Sequence, residues 1–253
     1  MAVDYSKAVK CAIFCQEVYQ DFSNIVFSGL ASQPVLINEP KTDTQGAILP
    51  EGNGITIVFR GSTSDFDWQT NFATRQERAD FDQKIIQQQI VALRDQIYPF
   101  EETSQSDALM HRGFIDAYFA VRDQIHEYIR TNGVTNVTAT GHSLGGALAT
   151  LCAIDVQYNF SNTVAVEMYT FGSPKVGNEG FRESFNRRVP NSYRFIYGMD
   201  IVPELPRWWQ GYHHVDTEFR IGPRFSLRFL SQRFRDHAIA SYIDLLKVEA
   251  TKK

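Results

Sequence analysis

Val137-Thr138-Ala139-Thr140-Gly141-His142-Ser143-Leu144-Gly145-Gly146-Ala147-Leu148-Ala149-Thr150-Leu151 decides the fold. A run with β-branched residues meets Gly-x-Ser-x-Gly, and an Ala/Leu-rich run with helical periodicity follows. This order predicts strand, sharp turn and helix, the arrangement that pushes a serine out of the backbone as a nucleophile. Gly141 and Gly145 remove the Cβ atoms that would collide where strand and helix approach around a strained turn. The helix N-terminus after Ser143 points N–H groups at any negative charge forming beside it. The backbone N–H of Leu144, the residue after the nucleophile, is therefore the expected first donor to an oxyanion.

Working outward, strands and helices alternate. Residues 4–22 carry Ala8, Ala12, Cys15 and Tyr19 at helical spacing. Segments 44–49 and 55–60 flank the turn Pro50-Glu51-Gly52-Asn53-Gly54 and predict a hairpin that delivers a buried strand. Residues 114–130 form an amphipathic helix through Tyr118, Val121, Ile125 and Ile129, closing at Asn132-Gly133. Strands follow at 134–140, 164–171 and 193–197, with a short helix at 179–187 between the last two. A proline-rich loop spans 198–207, a hairpin-like alternation spans 212–230, and a closing helix covers 237–248. Such alternation, with no linker-like composition shift, predicts one α/β domain on a mostly parallel sheet.

The chain has 253 residues, 43% hydrophobic and 21% charged, with a formal net charge of -4. That balance argues against nucleic acid as a partner. No apolar run is long enough to span a bilayer, and no cationic segment precedes an apolar core at the N-terminus. Three cysteines cannot build a disulfide framework, and Cys11 and Cys15 fall one helical turn apart as packing residues. These observations lead to the expectation of a cytoplasmic or otherwise intracellular protein. No clustered ligand spacing points to a metal, and no cofactor is implied.

A serine hydroxyl needs a base to take its proton and a third group to orient that base. In this fold type the partners follow in the order Ser, then Asp or Glu, then His. After Ser143 come only His213, His214 and His237. Among the acids Asp200 stands out, since it directly follows the strand at 193–197 and catalytic side chains gather at the carboxyl ends of such strands. Glu204 is its rival, held between two prolines in a rigid turn. Asp155 and Asp216 read as solvated or local hydrogen-bonding groups, and His142 reads as a packing residue turned away from the Ser143 hydroxyl.

Several blocks occur in a recognisable order: Phe59-Arg60-Gly61-Ser62, His111-Arg112-Gly113-Phe114, Gly141-His142-Ser143-Leu144-Gly145-Gly146, Phe171-Gly172-Ser173-Pro174-Lys175-Val176-Gly177 and Asp200-Ile201-Val202-Pro203-Glu204-Leu205-Pro206. From about residue 44 onward the chain resembles the class 3 lipases, relatives of the filamentous-fungal triacylglycerol lipases. The resemblance implies an α/β-hydrolase fold with a mostly parallel central sheet flanked by helices. It implies Ser143 as nucleophile, Asp200 as acid and His237 as base, the last in Asp236-His237-Ala238-Ile239-Ala240-Ser241-Tyr242. His214 is the remaining alternative for the base, in a segment that is structural in the family. The second oxyanion donor is implied at Ser62, with Thr63 as the neighbouring alternative.

The expected activity is hydrolysis of lipid carboxylic esters, as a triacylglycerol lipase or carboxylesterase acting on a lipid or ester substrate at a lipid–water interface. Phospholipase A1, galactolipase and feruloyl esterase use the same machinery, and a catalytically silent lipase-like binding module is the alternative from another class. A histidine base further predicts that activity falls as the ring protonates, near the reference value of ~6.5. The interval at about 65–110 is longer than the family pattern, and the stripe Ala79, Ile86, Ile90, Leu93 and Ile97 reads as a helical lid or as a helix packed on the core. Arg220, Arg224, Arg228, Arg233 and Arg235, interleaved with Phe219, Phe225, Phe229 and Phe234, read as a solvated strand face or a headgroup contact. Trp208-Trp209 beside the acid loop reads as pocket lining, an interface contact or a half-buried pair.

Overall fold

The computed structural model describes residues 3–62, 108, 110–206, 208–215, 217–223 and 236–252. The lid reading over 65–110, Thr63 and most of the basic-aromatic patch therefore lie outside the described residues, apart from residues 108 and 110. The same holds for Asp216.

A first helix, α1 (Tyr5–Glu17), precedes an antiparallel trio, β1 (Val35–Glu39), β2 (Thr44–Glu51) and β3 (Gly54–Phe59). Helix α2 (Arg112–Thr131), β4 (Asn136–His142), α3 (Leu144–Phe160), β5 (Ala165–Phe171), α4 (Glu179–Arg188), β6 (Ser192–Tyr197), β7 (Glu218–Ile221) and α5 (Ile239–Thr251) follow. Among the described residues the strands form one seven-stranded sheet in sequential order from β1 to β7. β1, β2 and β3 pair antiparallel, and every pairing from β3 to β7 is parallel. This is the mixed, mostly parallel sheet flanked by helices expected of an α/β-hydrolase.

The period-two alternation of the strands separates two cores. On one face Ile48, Ile57, Phe59, Val137, Ala139 and Met168 meet α2, α3 and the Phe181–Phe185 side of α4. On the other, Ala47, Leu49, Val58, Tyr169, Phe171 and Phe195 lie beneath α1 and α5, which pack against each other. Helix α3 is buried along an unbroken run from Gly145 to Val156, as an all-round apolar helix must be.

One strand has no counterpart in the expected alternation, and one expectation differs from what forms. β1 is an edge strand among the described residues, with Ile37 alone fully buried and Pro34 and Pro40 flanking it, as suits an edge. The described part of 212–230 is not a hairpin, since β7 runs parallel to β6 with Phe219 opposite Phe195. Tertiary contacts override the alternation there: the Phe219 ring lies against Tyr193 and Phe195. Arg194 also donates to the Val215 carbonyl at 3.2 Å and the Glu218 carboxylate at 3.0 Å.

Candidate active site

The parallel register aligns the carboxyl ends of β3, β4, β5 and β6 along one edge, with Phe59 opposite Gly141, His142 opposite Phe171 and Phe171 opposite Phe195. Ser143 sits at φ 58 and ψ -130 between β4 and α3, a conformation that a residue with a Cβ adopts only when its surroundings enforce it. Here the enforcement is packing. A Cβ at Gly141 would lie 2.1 Å from the Gly145 carbonyl oxygen, and one at Gly145 would lie 2.2 Å from that of Phe59. The Ser143 backbone N–H donates to the Phe171 carbonyl at 3.0 Å, which ties the turn to the end of β5. Its hydroxyl does not cap α3, so that group is left for other chemistry. Leu144 opens α3, where first-turn N–H groups have no intrahelical acceptor.

Gly172 follows Phe171 at φ 59, and the space a Cβ would take there is filled by Asp200 Oδ2 at 2.7 Å and His237 Nδ1 at 2.9 Å. Asp200 and His237 meet on this surface, with Nδ1 of the imidazole 2.8 Å from Oδ2 of the carboxylate. The Asp200 carboxylate is buried, and Oδ1 accepts from the Val202 N–H at 2.9 Å while Oδ2 also accepts from the Tyr242 hydroxyl. Burial and the Asp200 charge push the Tyr242 phenol up, keeping it a donor. Ser62 lies beyond the end of β3, next to Gly61, whose Cβ position is 3.2 Å from the Ser143 Cβ. The fold thus carries Ser143, Asp200, His237, Ser62 and Leu144 to one end of the sheet.

The other sequence candidates sit elsewhere. Glu204 is exposed in the short turn Val202–Glu204 that follows Asp200. His214 donates through Nε2 to the Pro203 carbonyl, so it braces the acid loop. Burial, then the Arg194 and Lys175 charges, hold its pKa well below the usual imidazole range. Lys175 braces the same loop, its ammonium donating to the carbonyls of Pro203, Glu204 and Pro206 at 3.2, 2.7 and 3.1 Å. Trp209 is largely exposed.

Asp155 forms as the hydrogen-bonding group of its two readings, and not as the solvated one. It is fully buried, accepting from Tyr118, from Arg122 Nε at 3.0 Å and from Asn159 at 2.7 Å, with His126 Nε2 also 2.7 Å away. Tyr118, Arg122 and His126 follow one another at i, i+4 and i+8 along α2, a polar stripe hidden within an amphipathic pattern. All three cysteines are free and buried, and burial raises the Cys15 thiol to about 12, leaving it protonated and inert.

The family described as lipase (class 3) matches residues 56–209. A secreted mono- and diacylglycerol lipase of Fusarium solani is 29% identical over 84% of this chain and 56% of its own. One from Penicillium cyclopium is 28% identical over 71% of this chain and 52% of its own. The chain thus spans about half the length of these curated relatives. A solved triacylglycerol lipase, whose catalytic centre is described as a serine protease triad, is 25% identical with a TM-score of 0.60, over 86% of this chain and 78% of its own. The expectation of an intracellular protein is overturned, because the fungal relatives are secreted lipases and a chain lacking disulfides does not by itself identify a compartment. With its sheet order, its serine turn and a family match over more than half its length, the chain belongs to the class 3 lipases.

Proposed function

We propose that this chain is a secreted serine hydrolase that cleaves carboxylic esters of acylglycerols through an acyl-enzyme on Ser143. The observation that carries the reading is the strained Ser143 turn, bonded to Phe171 one residue before the Gly172 surface on which Asp200 and His237 meet. The relatives' activity on mono- and diacylglycerols supports the substrate class.

In this reading the Ser143 hydroxyl attacks the ester carbonyl while neutral His237 takes its proton at Nε2. Ionised Asp200 holds the Nδ1–H tautomer and stabilises the imidazolium as it forms. The N–H of Leu144 and the backbone or hydroxyl of Ser62 receive the developing oxyanion. His237 then returns its proton to the leaving alcohol, and water, deprotonated by the same ring, releases the fatty acid. The reading treats residues 1–253 as one α/β-hydrolase domain with an insertion at about 65–110, supported by two cores that share one sheet.

The test is hydrolysis of a p-nitrophenyl ester series and of mono-, di- and triacylglycerols by wild type and Ser143→Ala. Wild type is expected to turn over, and Ser143→Ala to lose on the order of 10⁴–10⁶-fold in kcat with an unchanged melting temperature. A properly folded wild type with no turnover on any ester would sink the hydrolase reading in favour of a binding module.

A further inference from the structure

His142 makes contacts that ester hydrolysis does not by itself require. It ends β4, is buried, and its ring lies 4.5 Å from that of His237 at an interplanar angle of 31°. Its Nε2 is 2.7 Å from the His237 backbone carbonyl oxygen. A carbonyl oxygen only accepts, so Nε2 carries the proton and Nδ1 is the bare nitrogen. Nδ1 in turn lies 3.1 Å from the Tyr19 hydroxyl, which then has to donate. Tyr19 comes just past the end of α1, outside the segment 56–209 that matches the family. Its hydroxyl occupies the space beside Gly61, where a Cβ would lie only 2.2 Å away, and the Arg60 guanidinium lies 5.7 Å from the centre of its ring.

We infer that Tyr19 and His142 are positioning residues for the proposed base, holding His237 against the nucleophile turn through the chain Tyr19 hydroxyl, His142 imidazole, His237 carbonyl. The inference rests on the reading of His237 as base. His237 belongs to no helix or strand, and α5 begins two residues later. Its bond to Asp200 holds the imidazole, and the bond from His142 holds the backbone carbonyl of the same residue. Because His142 adjoins Ser143 in the chain, base and nucleophile then share one rigid reference, the end of β4. Tyr19 selects the tautomer: without its proton at Nδ1, His142 can protonate there and turn a lone pair toward the His237 carbonyl. Burial, reinforced by the His237 charge, holds the His142 pKa well below the usual range, so the ring stays neutral beside an imidazolium.

The experiment compares Tyr19→Phe, His142→Phe, His142→Gln and the Tyr19→Phe/His142→Phe double variant in the full chain, on p-nitrophenyl butyrate. His142→Phe is expected to lower kcat about ten- to a hundredfold with KM changed less than about twofold, since misplacement acts on chemistry more than on substrate binding. Tyr19→Phe should lower kcat by less and add nothing in the His142→Phe background, because the two act through one chain. His142→Gln, whose amide nitrogen can take the place of Nε2 and donate to the His237 carbonyl, should recover most of the loss. In parallel, ring ¹⁵N resonances of His142 should report a protonated Nε2 in wild type and mixed tautomers in Tyr19→Phe. Additive losses, changes confined to KM, or kcat unaltered in both single variants would overturn the inference. So would a wild-type His142 protonated at Nδ1. If wild type hydrolyses no ester, the hydrolase reading fails and the tautomer measurement alone decides the hydrogen-bond chain. If His142→Phe does not fold, Tyr19→Phe and the resonances decide it.

Discussion

Gly172 shows how little space separates the groups of the site. Its φ of 59 already excludes most side chains, and a Cβ there would enter within 3.0 Å of both Asp200 and His237. Gly172→Ala is therefore expected to part the carboxylate from the imidazole and lower kcat about a hundredfold, a loss typical of roughly 1 Å misplacement. Steady-state kinetics beside a circular-dichroism melt check this, and an alanine variant with wild-type kcat would show that the pair tolerates displacement. At this scale, legibility followed locality. Ser143 was readable from its own turn because the glycines that permit the turn are its neighbours in sequence. Asp200 could be singled out as the first acid after a strand, whereas His237 had two histidine rivals, of which His214 remained after the ordered blocks were compared. Tyr242, His142 and Tyr19 were not read as site residues. Their hydroxyl and ring contacts exist only after α1, β4 and α5 come together, and nothing in a local pattern marks a tyrosine as a donor to a distant carboxylate or imidazole.

Among the elements, α2 and α3 meet through the buried cluster on Asp155 as well as through apolar contacts. A buried carboxylate joined to an arginine stabilises little relative to apolar packing, but removing its charge takes the buried partner from the guanidinium and leaves the more distant, exposed Asp123 at 3.7 Å beside it. Asp155→Asn is expected to destabilise the fold by about 3–5 kcal/mol. That corresponds to a melting temperature lower by on the order of 10 °C, which calorimetry would detect. A variant that melts within a degree or two of wild type would show that the cluster is not coupled to folding. The helices and central strands were legible because their periodicities repeat over several turns or residues. The α2 stripe misled for the same reason: an amphipathic reading keeps Tyr118 on the apolar face but assigns Arg122 and His126 to solvent, yet both face inward with it toward Asp155. β7 misled because four residues of alternation cannot distinguish a hairpin from a parallel edge strand, and the Phe219 contacts that decide it are tertiary.

For the whole molecule, two histidines held neutral on folding make stability depend on pH. The pKa values of His142 and His214 both lie well below their ordinary value in the folded chain, through burial first. In the unfolded chain each takes up a proton near ~6.5, so the unfolded state binds more protons below that pH. Stability is complete above about 6.5 and falls as the pH drops toward the folded values, by at most ~1.4 kcal/mol per unit for each group. Melting temperatures measured between about pH 7.5 and 5.5 should therefore decline, and His214→Gln, which keeps a donor for the Pro203 carbonyl, should flatten the decline. An identical slope in that variant would remove His214 from the account. The fold class was readable from alternation alone, and the order of blocks along the chain carried the family. The compartment was not readable, because an absence of disulfides and leader patterns is compatible with more than one destination.

The pairing of α1 with α5 has a consequence for how activity arises during synthesis. The family-matched segment, 56–209, contains Ser143 and Asp200, but His237 and Tyr242 come after it and Tyr19 before it. A nascent chain that has already emerged through β6 can pair its central strands and expose a strained serine while the His237 imidazole is not yet available to activate it. Hydrolytic competence on the proposed roles thus waits until α5 has left the ribosome and docked beside α1, a helix made long before it.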